Sequence, residues 1–272
     1  MAQNGLFPVT YTRHQHRYWR RFTSFEFAAD RAECAVVMPE ILQIAAAFPI
    51  VFKTSERGIE PLALLSLPPH TRTPFVSQDG RWLAAYIPSA LRCHPFRAEG
   101  VSPQSLKQIR QFVLCVDETS ELVTSNPDDQ AFFDESGRLS PELQEVQIFL
   151  QARQSAIETT AHLCQTLDAL GLFEPIEQHA GVDLPPGALG IAPLRLQRLS
   201  QPEKVILVDS GAFQLIHAHQ ISLTHCAWLT RAQQQLAQQV FPEKYTENSD
   251  ISGFLYAVAN AQNDVFFRTN EV

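Results

Sequence analysis

The segment HAHQISLTH places His217, His219 and His225 within nine residues. Imidazoles this close together invite a metal reading, since neutral histidine is a common zinc ligand. On a helix, however, residues two apart project about 200° from each other, so His217 and His219 cannot share one ion. The HExxH spacing is also absent, and no metal is expected. His219 and Ser222 are three apart and share a helical face. Two roles stay open for them: a buried polar pair that fixes the helix against a sheet, or a general base with its partner.

A second group lies in DGRWLAAYIPSALRCHPF, Asp79 to Phe96. Cys93 and His94 suggest a thiolate beside its base, but adjacent residues on a helical turn point about 100° apart, which is poor pairing geometry. A packed cysteine is the better reading. Trp82, Tyr86 and Phe96 are either core anchors or the lining of a ligand pocket. Arg81 and Arg92 need a partner, because arginine is seldom buried without a carboxylate or phosphate. Either they pair with Asp79 or Asp117, or they hold the anionic part of a ligand.

Other chemistries are disfavoured. There is no GxGxxG and no GxxxxGKS or GxxxxGKT loop to cradle a phosphate, and no GxSxG elbow. The net charge of −8 and pI near 5.6 give no counterion-release drive toward nucleic acid. RHQHRYWRR, Arg13 to Arg21, is a local exception and reads as a surface strip suited to an acidic partner protein. Five cysteines at wide spacings, with no CxxC, suggest neither a disulfide framework nor a zinc ribbon. The most apolar window, Ala35 to Phe52, contains Pro39, Glu40, Gln43 and Pro49, so a membrane span is not expected. No secretory leader is read at the N-terminus, and the expected location is cytoplasmic.

These residues must be positioned by surrounding elements. FPVTY and the alternating SFEFAAD read as strands. A helix over Arg31 to Phe48, capped by Asp30 and kinked or split at Pro39, should follow. PIVFKTS and IEPLALLSL form a hairpin across SERG, and Asp79-Gly80 marks a second. A short helical turn starts at Pro88 and stops at Pro95, and Gln111 to Val116 is a buried strand. The acidic, turn-rich residues 117–140 cross the surface. Ser140 as N-cap, Pro141 at the first position and Gly171 past the end delimit a long helix from Pro141 to Leu170. LGIAPLRLQRL reads as a strand leading into a turn. Ser200, Pro202 and Glu203 cap another helix, and a further one spans Phe213 to Gln239. ISGFLYAVA adds a last short element.

Four segments in order resemble the SapC family of bacterial proteins. They are FAAD followed by FPIVFKTSERGIEPLALLSL; Gly80, Arg81, Trp82, Tyr86, Pro88, Arg92, Pro95 and Phe96, set as in the family's GRW…Y.P…R..PF; LDALGLFEPIE; and SGAFQLIHAHQISLTH, in which His219 and Ser222 match the family's H..S. The resemblance covers roughly residues 7 to 235. It departs over Ala180 to Arg198, richer in proline and glycine, and ends near residue 236. Members resemble uncharacterised soluble proteins whose genes lie near TonB-dependent receptors and flavin-dependent halogenases. The resemblance therefore implies a role beside an uptake or modification system.

The expected fold is α+β, an antiparallel or mixed sheet packed against the long helix and a C-terminal helix. Residues 1–240 should form one domain and 241–272 an extension. The expected function is a binding or accessory protein, with a protein partner or small-molecule ligand and no assigned cofactor. The alternative is an enzyme with one pocket formed by His219, Ser222, Arg81, Trp82, Tyr86 and Arg92.

Overall fold

The computed structural model describes residues 5–100 and 112–240. ISGFLYAVA, the extension 241–272 and Gln111 lie outside them. By its internal contacts the chain separates into Met1–Gln234 and Gln235–Val272, and everything below concerns the first unit.

In chain order, β1 (Leu6–Pro8) is followed by α1 (Tyr11–His14), β2 (Tyr18–Trp19), β3 (Glu33–Ala35) and α2 (Ile41–Ala45). The hairpin β4 (Ile50–Ser55) and β5 (Gly58–Leu64) comes next, then β6 (Phe96–Gly100), β7 (Phe112–Asp117), β8 (Val123–Thr124) and β9 (Gln130–Ala131). The long α3 (Pro141–Ala169) precedes four short strands: β10 (Phe173–Pro175), β11 (Gln178–His179), β12 (Val182–Asp183) and β13 (Leu189–Ile191). The helices α4 (Pro193–Gln197), α5 (Gln201–Ser210), α6 (Ala212–Ser222) and α7 (His225–Val240) complete the described chain.

The fold is α+β, and each strand pairing among the described residues is antiparallel. The main sheet has the order β10-β13-β4-β5-β3, two three-stranded sheets have the orders β1-β7-β6 and β8-β2-β9, and β11 pairs with β12. The SERG hairpin forms as expected, with Gly58 at φ +106°. The main core fills the space between the large sheet, α2 and α6. A second core surrounds Trp19, Phe96, Val116 and Phe132.

α3 serves both cores. Ser140 caps it by accepting a hydrogen bond from the Leu143 amide at 3.3 Å, and Gly171 follows in the left-handed region, at φ +63°. Its N-terminal half sends Leu143 and Leu150 into the second core, and its C-terminal half sends Leu163, Cys164 and Leu167 into the first. Between them the same face carries Arg153 and Thr160. Thr160 Oγ1 accepts the Met38 amide at 2.9 Å.

Several local expectations give way to tertiary context. SFEFAAD is not a strand: Ser24 Oγ accepts the Glu26 amide at 3.2 Å and a 3-10 turn, Glu26–Ala28, follows. Tyr11 opens α1 rather than ending β1. Residues 31–48 are not one helix. Glu33, Cys34 and Ala35 pair with Leu64, Ala63 and Leu62, and helical structure begins only with the 3-10 turn Met38–Glu40, which holds Pro39 in its first turn, and continues as α2. Residues 117–140 are more than a surface crossing, because β8 and β9 flank β2 and Phe132 is fully buried. LGIAPLRLQRL becomes β13 and then α4, with Pro193 in its first turn. The helix from Phe213 to Gln239 is broken at Leu223–Thr224. Ser222 and Thr224 hydroxyls donate to the carbonyls of His219 and Ile221, both at 2.7 Å, and compete with helix continuation. RHQHRYWRR is not wholly a surface strip, since His14 and Trp19 are buried.

α7 is tied to the loop after β5 by one buried side chain. Gln233 Oε1 accepts the Leu67 amide at 2.9 Å, and its Nε2 donates to the Leu67 carbonyl at 3.2 Å. Gln233→Leu would leave both main-chain groups unpaired, and the variant is expected to lose about 2 kcal/mol or more in urea unfolding.

Candidate functional site

Gly80 sets the position of one pocket wall. Its φ of +79° suits the turn after Asp79, and a Cβ there would collide with Ser24 Oγ at 2.0 Å. This close approach lets the Gly80 carbonyl accept the Phe25 amide at 2.7 Å. Phe25 is thereby brought against Trp82, with ring centroids 5.3 Å apart. The expected hairpin is reduced to one bridge, Val76 to Trp82, after which the chain bends at Ala84 and Ala85. The Trp82 indole N–H turns back to the Tyr86 carbonyl at 2.8 Å.

The bend borders an open cleft of about 480 Å³, lined by Thr23, Phe25, Arg81, Trp82, Ala84, Ala85, Tyr86, Ile87 and Arg92. Arg81, Trp82, Tyr86 and Arg92 therefore converge, while Phe96 lies in the second core, 4.8 Å from Trp19. The two arginines differ. Arg81 Nε is paired with Asp79 Oδ2 at 2.7 Å, and Asp79 is held below the usual carboxylate range first by the Ser77 hydroxyl and then by Arg81. Arg92 donates from Nε to the Ile87 carbonyl at 2.9 Å and lies over the Tyr86 ring, 4.7 Å from its centroid. No carboxylate among the described residues forms an ion pair with it. The amides of Ala84, Ala85, Tyr86 and Ile87 also make no hydrogen bond to described residues.

A buried polar cluster, missed in the sequence, lies behind this wall. Glu40 is only 4% exposed. Its Oε2 accepts the Tyr86 hydroxyl at 3.0 Å and the Ser89 amide at 2.7 Å, and its Oε1 accepts the Ser89 hydroxyl at 2.7 Å. Arg153 Nε donates to the Ser89 hydroxyl oxygen at 3.0 Å, and its Nη2 to the Ala35 carbonyl at 3.2 Å. Burial, then the charge and hydrogen bond of Glu40, push the Tyr86 phenol up to about 12, against the pull of Arg92. Two signals could have revealed the cluster: a lone carboxylate in the most apolar window of the chain, and an arginine on the apolar stripe of α3.

His219 and Ser222 do not line this cleft. They hold α6 to the start of β4. His219 Nδ1 donates to the Ile50 carbonyl at 2.7 Å, and Ser222 Oγ accepts the Ile50 amide at 2.9 Å. The Ile191 amide donates to His219 Nε2 at 3.3 Å, which places the ring proton on Nδ1. Gly190 makes room for the imidazole, since a Cβ there would sit 3.3 Å from Nε2. His217 is exposed on the other side of α6, and His225 Nε2 lies 3.0 Å from the Ala45 carbonyl. No group of three or more His, Cys, Asp or Glu side chains among the described residues could hold a metal ion.

Cys93 and His94 form no nucleophile pair. Burial pushes the Cys93 thiol up to about 11. His94 stacks on Phe27 at 3.9 Å, and burial lowers its pKa to about 4. No helix among the described residues is long and apolar enough to cross a membrane.

These features define an α+β protein with one arginine-bearing aromatic pocket braced by a buried carboxylate. The SapC family model matches residues 9–229, and the chain belongs to this family. No curated protein and no solved structure matches the chain.

The neutral His219 ring has a consequence for pH. Its proton affinity is lowered by burial to about 4, below the ordinary value of 6.5, so the folded state takes up this proton later than the unfolded chain. This contribution to stability is complete above about pH 6.5 and is lost as pH falls toward 4, by about 3 kcal/mol at most. Urea midpoints measured at pH 7 and pH 4.5 should therefore separate less in His219→Asn than in the wild type.

Proposed function

We propose that the protein binds a small anionic ligand with an aromatic or apolar body, in the pocket formed by Phe25, Trp82, Tyr86 and Arg92. The observation that carries this reading is Arg92, a solvent-exposed guanidinium beside aromatic rings that pairs with no carboxylate among the described residues, while its neighbour Arg81 is paired with Asp79. A guanidinium in this setting favours a carboxylate or phosphate oxygen, and the aromatic faces favour a flat apolar body beside it. The amides of Ala84 and Ala85, which bond to none of the described residues, belong to the same wall and add hydrogen-bond donors suited to an anion.

The reading is one of binding rather than catalysis. His219 and Ser222 are engaged with the main chain of β4 and β13, the Cys93 thiol is raised, and His94 is stacked on Phe27. The accessory setting, beside an uptake or ligand-modifying system, follows from the family resemblance alone. A protein partner would then deliver or receive the ligand.

Trp82 lines the pocket, so the emission lost in Trp82→Phe, with Trp19 and Trp228 as background, reports on it. Aromatic carboxylates should quench this emission at lower concentration than their neutral amides. Arg92→Ala should weaken carboxylate binding by about 10- to 100-fold, the loss of one charge-assisted contact. Arg81→Ala should have a smaller effect, because Asp79 already takes up its charge. Equal binding of acids and amides to the wild type would refute the anionic-ligand reading.

A further inference from the structure

Arg92 is braced from inside the protein. Its guanidinium rests on the Tyr86 ring, and its Nε is fixed to the Ile87 carbonyl. Tyr86 in turn donates its hydroxyl to Glu40 at 3.0 Å, and Ser89, three residues later, gives the same carboxylate both its amide and its hydroxyl, each at 2.7 Å. Segment 84–87, which carries the ring, makes no main-chain hydrogen bond through its amides among the described residues. Its attachment to the core thus depends on side-chain contacts, and Glu40 is the acceptor shared by both ends of Tyr86–Ser89.

The order of charge has its own effect. From the pocket inward it runs Arg92, Glu40, Arg153, with the Tyr86 phenol between the first two and the Ser89 hydroxyl between the last two. Glu40 raises the proton affinity of Arg153, which burial lowers. With Arg153 beside it, the carboxylate is balanced on its inner side and does not cancel Arg92. Glu60 also acts on Arg153, so Arg153 is not balanced by Glu40 alone, and Arg92 is the guanidinium of the cluster that lines the pocket.

The geometry points to Glu40 as a positioning residue for Arg92: through Tyr86 and Ser89 it fixes the guanidinium that receives the ligand's anionic group, while Arg153 prevents Glu40 from neutralising it. This rests on the reading of the pocket as an anion site. Glu40 itself touches no ligand; its action is to set where Arg92 sits.

The test uses the full chain and two probes of the same shape, 3-phenylpropionate and its neutral amide, with affinities measured by calorimetry. The quantity read is the charge preference, the affinity for the acid divided by that for the amide. The wild type should favour the acid by about tenfold or more. Glu40→Gln keeps the side chain's size and should cut the preference at least about threefold, the coupling seen within one hydrogen-bonded network. In an Arg92→Ala background the same substitution should change the preference by less than about twofold, because its effect passes through Arg92. A general loss of packing would give no such dependence. Independently of any ligand, the ionisation of Tyr86, read at 295 nm against Tyr86→Phe, should move to lower pH in Glu40→Gln. If Glu40→Gln does not fold, Ser89→Ala takes its place, since it removes one donor to Glu40 and the contact to Arg153.

An unchanged preference in Glu40→Gln, an equal loss with and without Arg92, or a stationary Tyr86 ionisation would each overturn the inference. The two readings fail differently. A wild type that binds both probes equally removes the anion site and this inference together. A wild type that prefers the acid but does not respond to Glu40→Gln removes only the positioning role.

Discussion

A carboxylate taken out of water must be surrounded by donors, or the structure holding it will not persist. At Glu40 the donors come from Tyr86 and Ser89, with Arg153 one hydroxyl further on. These residues belong to three parts of the chain that are far apart in sequence: the turn before α2, the segment after the Gly80 turn, and the middle of α3. Satisfying this one group brings all three together. The pocket wall is where the second of them emerges. The pocket is therefore not a feature added to a finished scaffold. It is the outer surface of a contact that the buried charge itself requires.

The α6–β4 junction solves the same problem with neutral groups. Ile50 begins β4, and both its amide and its carbonyl are taken by side chains of α6. Gln233 does the same for Leu67 from α7. In both places a helix supplies through its side chains what a neighbouring strand would supply through its backbone. The sheet can then end against helices without leaving main-chain groups unpaired in the core. This accounts for a histidine and a serine at helical spacing that a sequence reader naturally suspects of catalysis.

What could be read from the sequence was mostly local. Ser140, Pro141 and Gly171 delimited α3 because capping and proline geometry act over a few residues. The β4–β5 hairpin was readable because its turn lies within the window that forms it. Of residues 31–48, expected as a helix, only the part from Met38 is helical, and β3 before it is not legible because its pairing with β5 spans some thirty positions, beyond what periodicity reports. Arg81, Trp82, Tyr86 and Arg92 could be grouped because they lie within one short stretch. Glu40 and Arg153 could not be joined to them, because sequence distance hides a contact whose only local trace is a charge among apolar neighbours.

α3 has a role beyond packing. Its two ends lie in different hydrophobic cores, and its middle carries Arg153 and Thr160, which hold the end of β3 and the turn before α2. Neither core can melt without fraying a helix that the other also needs, so the two halves should lose structure as one cooperative unit rather than in stages. Such a spine also slows assembly, because α3 meets partners roughly a hundred residues upstream and long loops must close first. For a ribosome-bound chain this means that residues 5–100 emerge well before the helix they pack against and wait for it, with their apolar faces uncovered. The apolar surface that α3 covers is thus uncovered longest during the protein's own synthesis.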